Sequence, residues 1–252
     1  MSQVICVDIG NTTFHWALME DGQVLEHGGW PRRKFEQEAR NFLATHKGLP
    51  ISWCSVSPPA AEIFQSVIWD LDVVDERLSC HDAPGLNFDY PNPGQVGQDR
   101  LANAIGAQRL VGAPAAVIDM GTVTTFDLIT EKSGFIGGVI TAGFAMMTQY
   151  MHERTAMLPE LKESEFDSSM NIGRSTVEAM SVGWFRGYPG MIRALLEGVR
   201  AEFEALGEPN PTVILTGGAA QGFLREALSE FRAEPHLTVL GLYEAWRRRQ
   251  LG

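Results

Sequence analysis

The chain has 252 residues, 44% of them hydrophobic and 20% charged, enough to bury a sizeable core without disulfide or metal staples. Its 20 basic and 31 acidic residues leave a net charge of −11, which disfavours nucleic acid or an anionic membrane as partner while leaving room for a local anion pocket. Cys6, Cys54 and Cys80 are too scattered for a disulfide framework or a zinc site, no apolar run approaches the roughly 20 residues of a membrane helix, and the acid at position 8 interrupts any signal-peptide core, so a reducing, cytoplasmic setting is expected.

Residues 3–8 are short, apolar and β-branched and predict a buried strand. Strands over 11–19 and 23–29 follow, joined by a turn at Glu20-Asp21-Gly22. Phe35, Ala39, Phe42 and Leu43 share one face of a predicted helix over 33–46. Residues 51–56 predict a strand, Pro58-Pro59 opens a helix, and Asp72 to Val74 predict another short strand. Residues 79–98 hold three Pro and three Gly without periodicity, and predict a long loop of the kind that carries function. A helix then begins at Asp99, with Leu101, Ala104, Ile105 and Gln108 to Leu110 on one face. Residues 115–130 predict two strands around Asp-x-Gly-Thr, with Asp127 at a solvated alternating position, and 134–141 predict a third. Helices are predicted over 143–153 and 174–205, a strand over 211–218, and helices over 219–231 and 241–250. The last ends in Arg247-Arg248-Arg249, suited to its C-terminal dipole. Met180, Val182, Trp184 and Phe185 make the long helix too apolar for a face left in water.

The opening segment VICVDIGNTTFHWALM (4–19) returns in altered form as AAVIDMGTVTTFDLIT (115–130), close to half a chain length later. Each copy is an apolar strand, Asp-x-Gly, small polar residues and a second apolar strand, which reads as an internal duplication with lobes over 1–112 and 113–252. An Asp at a strand end followed by Gly holds a carboxylate rigidly and turns backbone N–H groups toward an anion. Asn11, Thr12 and Thr13 add neutral donors, and Asp8 can hold a hydrated Mg²⁺. One copy alone could be a plain hairpin whose Asp accepts turn N–H groups; two copies and a late Thr-Gly-Gly turn favour phosphate. The phosphate loop that pairs Gly with Lys is absent, since the basic residues are 16 Arg and only 4 Lys, none in Gly-Lys-Ser/Thr. Asp99 reads either as a helix cap or as an acid tuned by Arg100 next to it.

Together these segments resemble the type III pantothenate kinases of the acetate-kinase, sugar-kinase and actin superfamily. Asp8-Ile9-Gly10-Asn11-Thr12 is similar to that family's first phosphate motif, and Asp119-Met120-Gly121-Thr122 to its second. Tyr90-Pro91-Asn92-Pro93 and Gly97-Gln98-Asp99-Arg100 resemble its pantothenate and catalytic segment, while Gly137-Gly138 to Gly143, and Thr176, resemble later positions. Ala142 stands where the family pattern has Pro, and Val123 where Ala is common.

The resemblance implies two ribonuclease-H-like α/β lobes with a cleft between them, and ATP-dependent phosphorylation of pantothenate, the first step of coenzyme A synthesis. It implies Asp99 as general base, and ATP contacts from Asp8, Ile9, Gly10, Asn11, Thr12, Thr13 and Thr122. It implies pantothenate contacts from Tyr90, Gly97, Gln98, Asp99, Arg100 and Thr176. Mg²⁺ would be held through water by Asp8, and a monovalent cation, K⁺ or NH₄⁺, by Asp119. A homodimer is implied, with Thr176 reaching the partner's substrate. The rival readings are another small-molecule kinase of the superfamily and a non-catalytic regulator that keeps the fold.

Overall fold

The computed structural model describes residues 3–161 and 169–251. In chain order its strands are β1 Val4–Ile9, β2 Thr13–Glu20, β3 Gln23–Pro31, β4 Ile51–Ser55, β5 Asp75–Arg77, β6 Ala115–Met120, β7 Val123–Thr130, β8 Gly134–Ala142, β9 Thr212–Thr216 and β10 Arg232–Ala233. Its helices are α1 Phe35–Thr45, α2 Pro58–Asp70, α3 Gln98–Val111, α4 Phe144–Glu153, α5 Thr176–Ala205, α6 Gly222–Ala227 and α7 Leu237–Leu251. They form two compact units, one from the chain up to Gly112 with Ser133–Ile136 and the segment from His236 on, the other from Ala113–Lys132 and Gly137–Pro235.

The first unit holds a five-stranded sheet in the order β3-β2-β1-β4-β5. β1 pairs antiparallel with β2 and parallel with β4, which places it at the centre. Alternation along the strands decides what each face meets. Ile5, Val7 and Ile9 of β1, with Ile51 and Trp53 of β4, enter an aromatic core with Phe14, Trp30, Phe35 and Phe64. Truncating any one of these rings to Ala would cost about 3–5 kcal/mol. Asp8 of β1 and Ser52 and Cys54 of β4 therefore take the opposite face. There the Ser52 hydroxyl donates to the Leu242 carbonyl of α7 at 3.0 Å.

α7 packs on α3, β1 and β4, so the C-terminal helix belongs to the first unit, where the sequence reading put all of 113–252 in one lobe. Its tie is specific. Glu244 is buried and accepts from Arg109 of α3 at 3.0 Å and from Arg247 and Arg248 at 2.8 Å. Burial pushes the Glu244 carboxyl up, but hydrogen bonds and charge from Arg247 and Arg248 more than reverse this and hold it at about 2. The terminal arginines thus bind carboxylates, beyond any interaction with the helix dipole. Arg249 pairs with Glu76 at 3.0 Å and Asp82 at 2.8 Å.

The second unit repeats the order as β8-β7-β6-β9-β10. β6 pairs antiparallel with β7 and parallel with β9, as β1 does with β2 and β4, and β10 is parallel to β9 as β5 is to β4. The duplicated motifs therefore sit at equivalent places in equivalent sheets. α5 has Ser175 as N-cap, its hydroxyl accepting from Glu178 N–H at 3.2 Å. Its Ile192, Leu196, Val199 and Phe203 recur at helical spacing and are buried.

Local differences from the sequence reading have physical causes. β5 begins at Asp75, not Asp72, because Leu71 N–H bonds back to Val67 and Ile68 and Asp72 turns at φ 50°. The helix predicted over 219–231 is only α6, followed by the short strand β10. α7 starts at Leu237, before the predicted 241. Asp127 is fully buried, since β7 is covered on both faces, and it accepts from Thr125 Oγ1 at 3.5 Å. The apolar series on α5 is partly used inside its own unit. Met180 is buried, Trp184 meets Phe144 at 5.9 Å and Phe185 meets Phe223 at 5.7 Å.

Candidate active site

In the first unit the β1–β2 hairpin turns tightly after Asp8 and Ile9. Gly10 N–H donates to the Thr13 carbonyl at 3.2 Å. Ile9 is buried and anchors the turn, while Asn11, Thr12 and Thr13 are exposed at its tip. Asp8 is half-buried and lies beside Cys54 in the β1–β4 register. The Cys54 thiol donates to Asp8 Oδ1 at 3.4 Å. Burial, then the charges of Asp8 and Asp99, push that thiol well above its usual range, so it remains a neutral donor.

Asp99 lies in the first turn of α3, two residues after the N-cap Gly97. Its Oδ1 accepts from Arg100 N–H at 2.8 Å. Burial raises the Asp99 carboxyl, opposed in part by that hydrogen bond and by the Arg100 charge. A Cβ on residue 97 would stand 2.5 Å from Asp99 Oδ1, so Gly97 leaves the space the carboxylate fills. Gln98 acts first as a tie: its Oε1 accepts from Ser55 N–H at 2.9 Å and from Arg77 Nε at 3.3 Å, joining α3 to β4 and β5.

The loop before α3 is fixed at two points. Arg248 donates to the Pro84 carbonyl and Arg249 to the Asp82 carbonyl, each at 2.9 Å. Further on, Asp89 N–H donates to Phe135 O and Phe135 N–H to Asn87 O, both at 2.9 Å. The fully buried Phe135 ring is a hub. Tyr90 packs against it at 6.0 Å between centroids, Phe88 at 6.1 Å, and the Arg100 guanidinium lies 5.5 Å over its face. Tyr90 and Arg100 thus share one aromatic support. Neither Phe135 nor Cys54 was marked by the sequence, because their partners come from other strands and helices.

In the second unit Asp119, the last residue but one of β6, lies opposite Thr125 and Thr216. Gly217, at φ 90°, lets the Thr-Gly-Gly turn approach, since a Cβ there would lie 2.4 Å from Asp119 Oδ1. Thr122 is exposed, and its carbonyl accepts from Gly143 N–H at 3.1 Å. Thr176 is exposed at the first residue of α5. The structure therefore groups Asp8, Asp99, Tyr90 and Arg100 in the first unit, and places Asp119, Thr122 and Thr176 in the second.

Among the described residues no cluster of three or more His, Cys, Asp or Glu side chains forms a metal cage. A half-buried carboxylate such as Asp8 suits Mg²⁺, which keeps several waters and is held by one or two carboxylates plus substrate phosphates.

Residues 4–198 match the family model described as type III pantothenate kinase. The chain belongs to that family. The type III pantothenate kinase of Methylacidiphilum infernorum is 36% identical over 244 residues, spanning 95% of this chain and 86% of that one. That of Bacillus cytotoxicus is 31% identical over 266 residues, spanning 97% and 96%. Among solved structures, a Campylobacter jejuni chain described as a Baf family transcriptional activator aligns with TM-score 0.66 and 16% identity over 98% of this chain and 100% of that one. The activator of 2-hydroxyisocaproyl-CoA dehydratase from Clostridium difficile, with bound ADPNP, aligns with TM-score 0.54 and 12% identity over 99% and 96%. At such identities these two establish fold alone: a pair of ribonuclease-H-like lobes of the actin-like ATPase type.

Proposed function

We propose that this chain transfers the γ-phosphoryl group of ATP to the primary hydroxyl of pantothenate, giving 4'-phosphopantothenate, with Asp99 as general base. Family membership supports the reaction, and the setting of Asp99 supports the role. A carboxylate raised by burial is a better proton acceptor than a solvated one, and Arg100 N–H fixes its orientation. Asp99 would take the hydroxyl proton as the oxygen attacks the γ-phosphorus in line and the bond to the β-phosphate oxygen breaks. Transfer of this kind depends on alignment and charge neutralisation more than on covalent help.

The remaining roles follow the same reading. Asp8 to Thr13 and Thr122 contact ATP. Tyr90, Gly97, Gln98, Arg100 and Thr176 contact pantothenate, with the Arg100 guanidinium suited to its carboxylate. Asp8 holds Mg²⁺ through water, and the ion neutralises phosphate charge when bound. Asp119 holds K⁺ or NH₄⁺. The protein works in the cytoplasm as a homodimer. Among the described residues no helix is long and apolar enough to cross a membrane.

The test is transfer of labelled phosphate from ATP to pantothenate, set beside a panel of sugars and short acids. The expected result is pantothenate-dependent product that needs Mg²⁺ and a monovalent cation. Transfer to a sugar but not to pantothenate would favour another kinase of the superfamily, and no transfer at all a regulator.

A further inference from the structure

The hairpin proposed to cradle the triphosphate contains no lysine or arginine, in a chain of net charge −11. A polyanion bound only by backbone N–H groups and hydroxyls there would lack a fixed positive charge. The structure supplies one from a neighbouring element. Thr13 of β2 pairs with Pro31 at the end of β3, so the residue after Pro31 arrives level with the hairpin tip. That residue is Arg32, which opens the short 3₁₀ turn Arg32–Lys34. Its Nη1 donates to the Asn11 carbonyl at 2.7 Å.

Two features distinguish Arg32 from the guanidinium groups that close ion pairs. Arg40, Arg109, Arg193, Arg247, Arg248 and Arg249 each pair with a carboxylate. Arg32 forms no salt bridge among the described residues, and the one acceptor it meets is a neutral carbonyl at the phosphate hairpin. Engaging that carbonyl leaves other N–H groups of the planar fork available, and such a fork matches phosphate oxygens.

We infer that Arg32 is a nucleotide-binding residue: it holds the hairpin tip through Asn11 and supplies positive charge to the phosphates of ATP. This rests on the reading of residues 8–13 as the ATP site. It assigns the charge that a phosphate-loop lysine provides elsewhere to a guanidinium on the adjacent strand connection. Because the group is exposed, its effect is electrostatic and screened by salt.

Arg32→Gln removes the charge and keeps a hydrogen-bond donor; Arg32→Lys keeps the charge and loses the fork. Binding of ATP and of adenosine is measured by calorimetry across a salt series, with KM for pantothenate measured in parallel. Arg32→Gln should weaken ATP roughly tenfold at low salt, flatten its salt dependence and leave adenosine binding and the pantothenate KM unchanged. Arg32→Lys should retain most of the ATP affinity. ATP binding by Arg32→Gln equal to wild type would overturn the inference. Equal losses for ATP and adenosine would also overturn it, by assigning Arg32 to hairpin structure alone. Failure of the wild-type chain to bind ATP would instead remove the functional reading on which the inference rests.

Discussion

Gly97→Ala adds a single methyl group next to the proposed base, and its effect can be worked out from the geometry. Residue 97 sits at φ −57° and ψ 139°, a conformation open to alanine, so the backbone itself is not strained. The new carbon would lie 2.5 Å from Asp99 Oδ1 and 3.4 Å from Val56 Cγ1. Ordinary contact lies near 3.5 Å, so the carboxylate must retreat by roughly 1 Å. That retreat weakens the bond from Arg100 N–H, now 2.8 Å long. Misplacing a reacting group by about 1 Å costs on the order of 10²-fold in rate. The global cost is small. Alanine is the poorer N-cap by about 1 kcal/mol, and the lost freedom of the unfolded chain returns about 0.4–1 kcal/mol. The assay is kcat and both KM values by coupled detection of ADP, with ATP binding and thermal unfolding measured separately. A kcat reduced about 10²-fold with intact ATP binding and a near-normal Tm is expected. A variant turning over at the wild-type rate would show that Asp99 need not stand where the glycine lets it stand, and would refute the assignment.

Three further outcomes follow from the same structure. Asp99→Asn should lower kcat about 10²–10⁴-fold. Because burial raises the Asp99 carboxyl in the folded state, its stabilising contribution is complete below the unfolded value and is lost as pH rises through the folded one. Urea unfolding should therefore show Asp99→Asn gaining on wild type as pH rises, and the acid limb of wild-type kcat/KM should lie above the ordinary aspartate value near 3.9. Glu244→Gln leaves Arg109, Arg247 and Arg248 around a neutral group and should cost roughly 3 kcal/mol by urea titration. With the Glu244 carboxyl held at about 2, this contribution is present above the unfolded pKa and fades as pH falls through about 2, so the variant should lack that acid dependence. Phe135→Leu keeps an apolar side chain but removes the ring under Tyr90 and Arg100. It should raise the KM for pantothenate roughly tenfold and leave that for ATP unchanged.

The sheets were legible in the sequence because each is led by a hairpin with a strong local signature, Asp-x-Gly between apolar strands. The helices on them were legible where a single apolar stripe faces the core, as on α1 and α5. Legibility failed where tertiary contacts override local pattern. α3 is buried over Arg100–Ala107, because α7 covers it, so the single face read from Leu101, Ala104 and Ile105 is too narrow. Nothing local ties α7 to the first unit; the Glu244 cluster and Ser52 do, across most of the chain. Asp127 alternates correctly for a half-exposed strand, yet β7 has no exposed face. At the proposed site, the residues of each motif were marked by the motif itself. Residues that act through another element were not: Phe135 reaches Tyr90 and Arg100 only because Gly134–Ile136 lies against the loop at 87–90.

The acidic composition and the proposed binding of a nucleotide polyanion pull in opposite directions, and the structure shows how they coexist. At physiological salt, charges more than about 8 Å apart in water are largely screened, so what matters is the charge beside the hairpin rather than the sum over the chain. Several acids sit in local ion pairs, which leave the net charge as it is: Glu244, Glu76 and Asp82 with the arginines of α3 and α7, Asp70 with Arg40, Glu230 with Arg193. At the first hairpin, Asp8 is bonded by a thiol, a neutral donor. On the proposed reading this carboxylate holds a hydrated cation. A lysine ion-paired with Asp8 would have cancelled its negative charge. A guanidinium at the tip, bonded to a carbonyl and on a separate segment of chain, adds positive charge without forming such a pair. On the proposed reading, placing the anionic and cationic contributions on different elements would let one hairpin serve both a metal and the phosphates it neutralises.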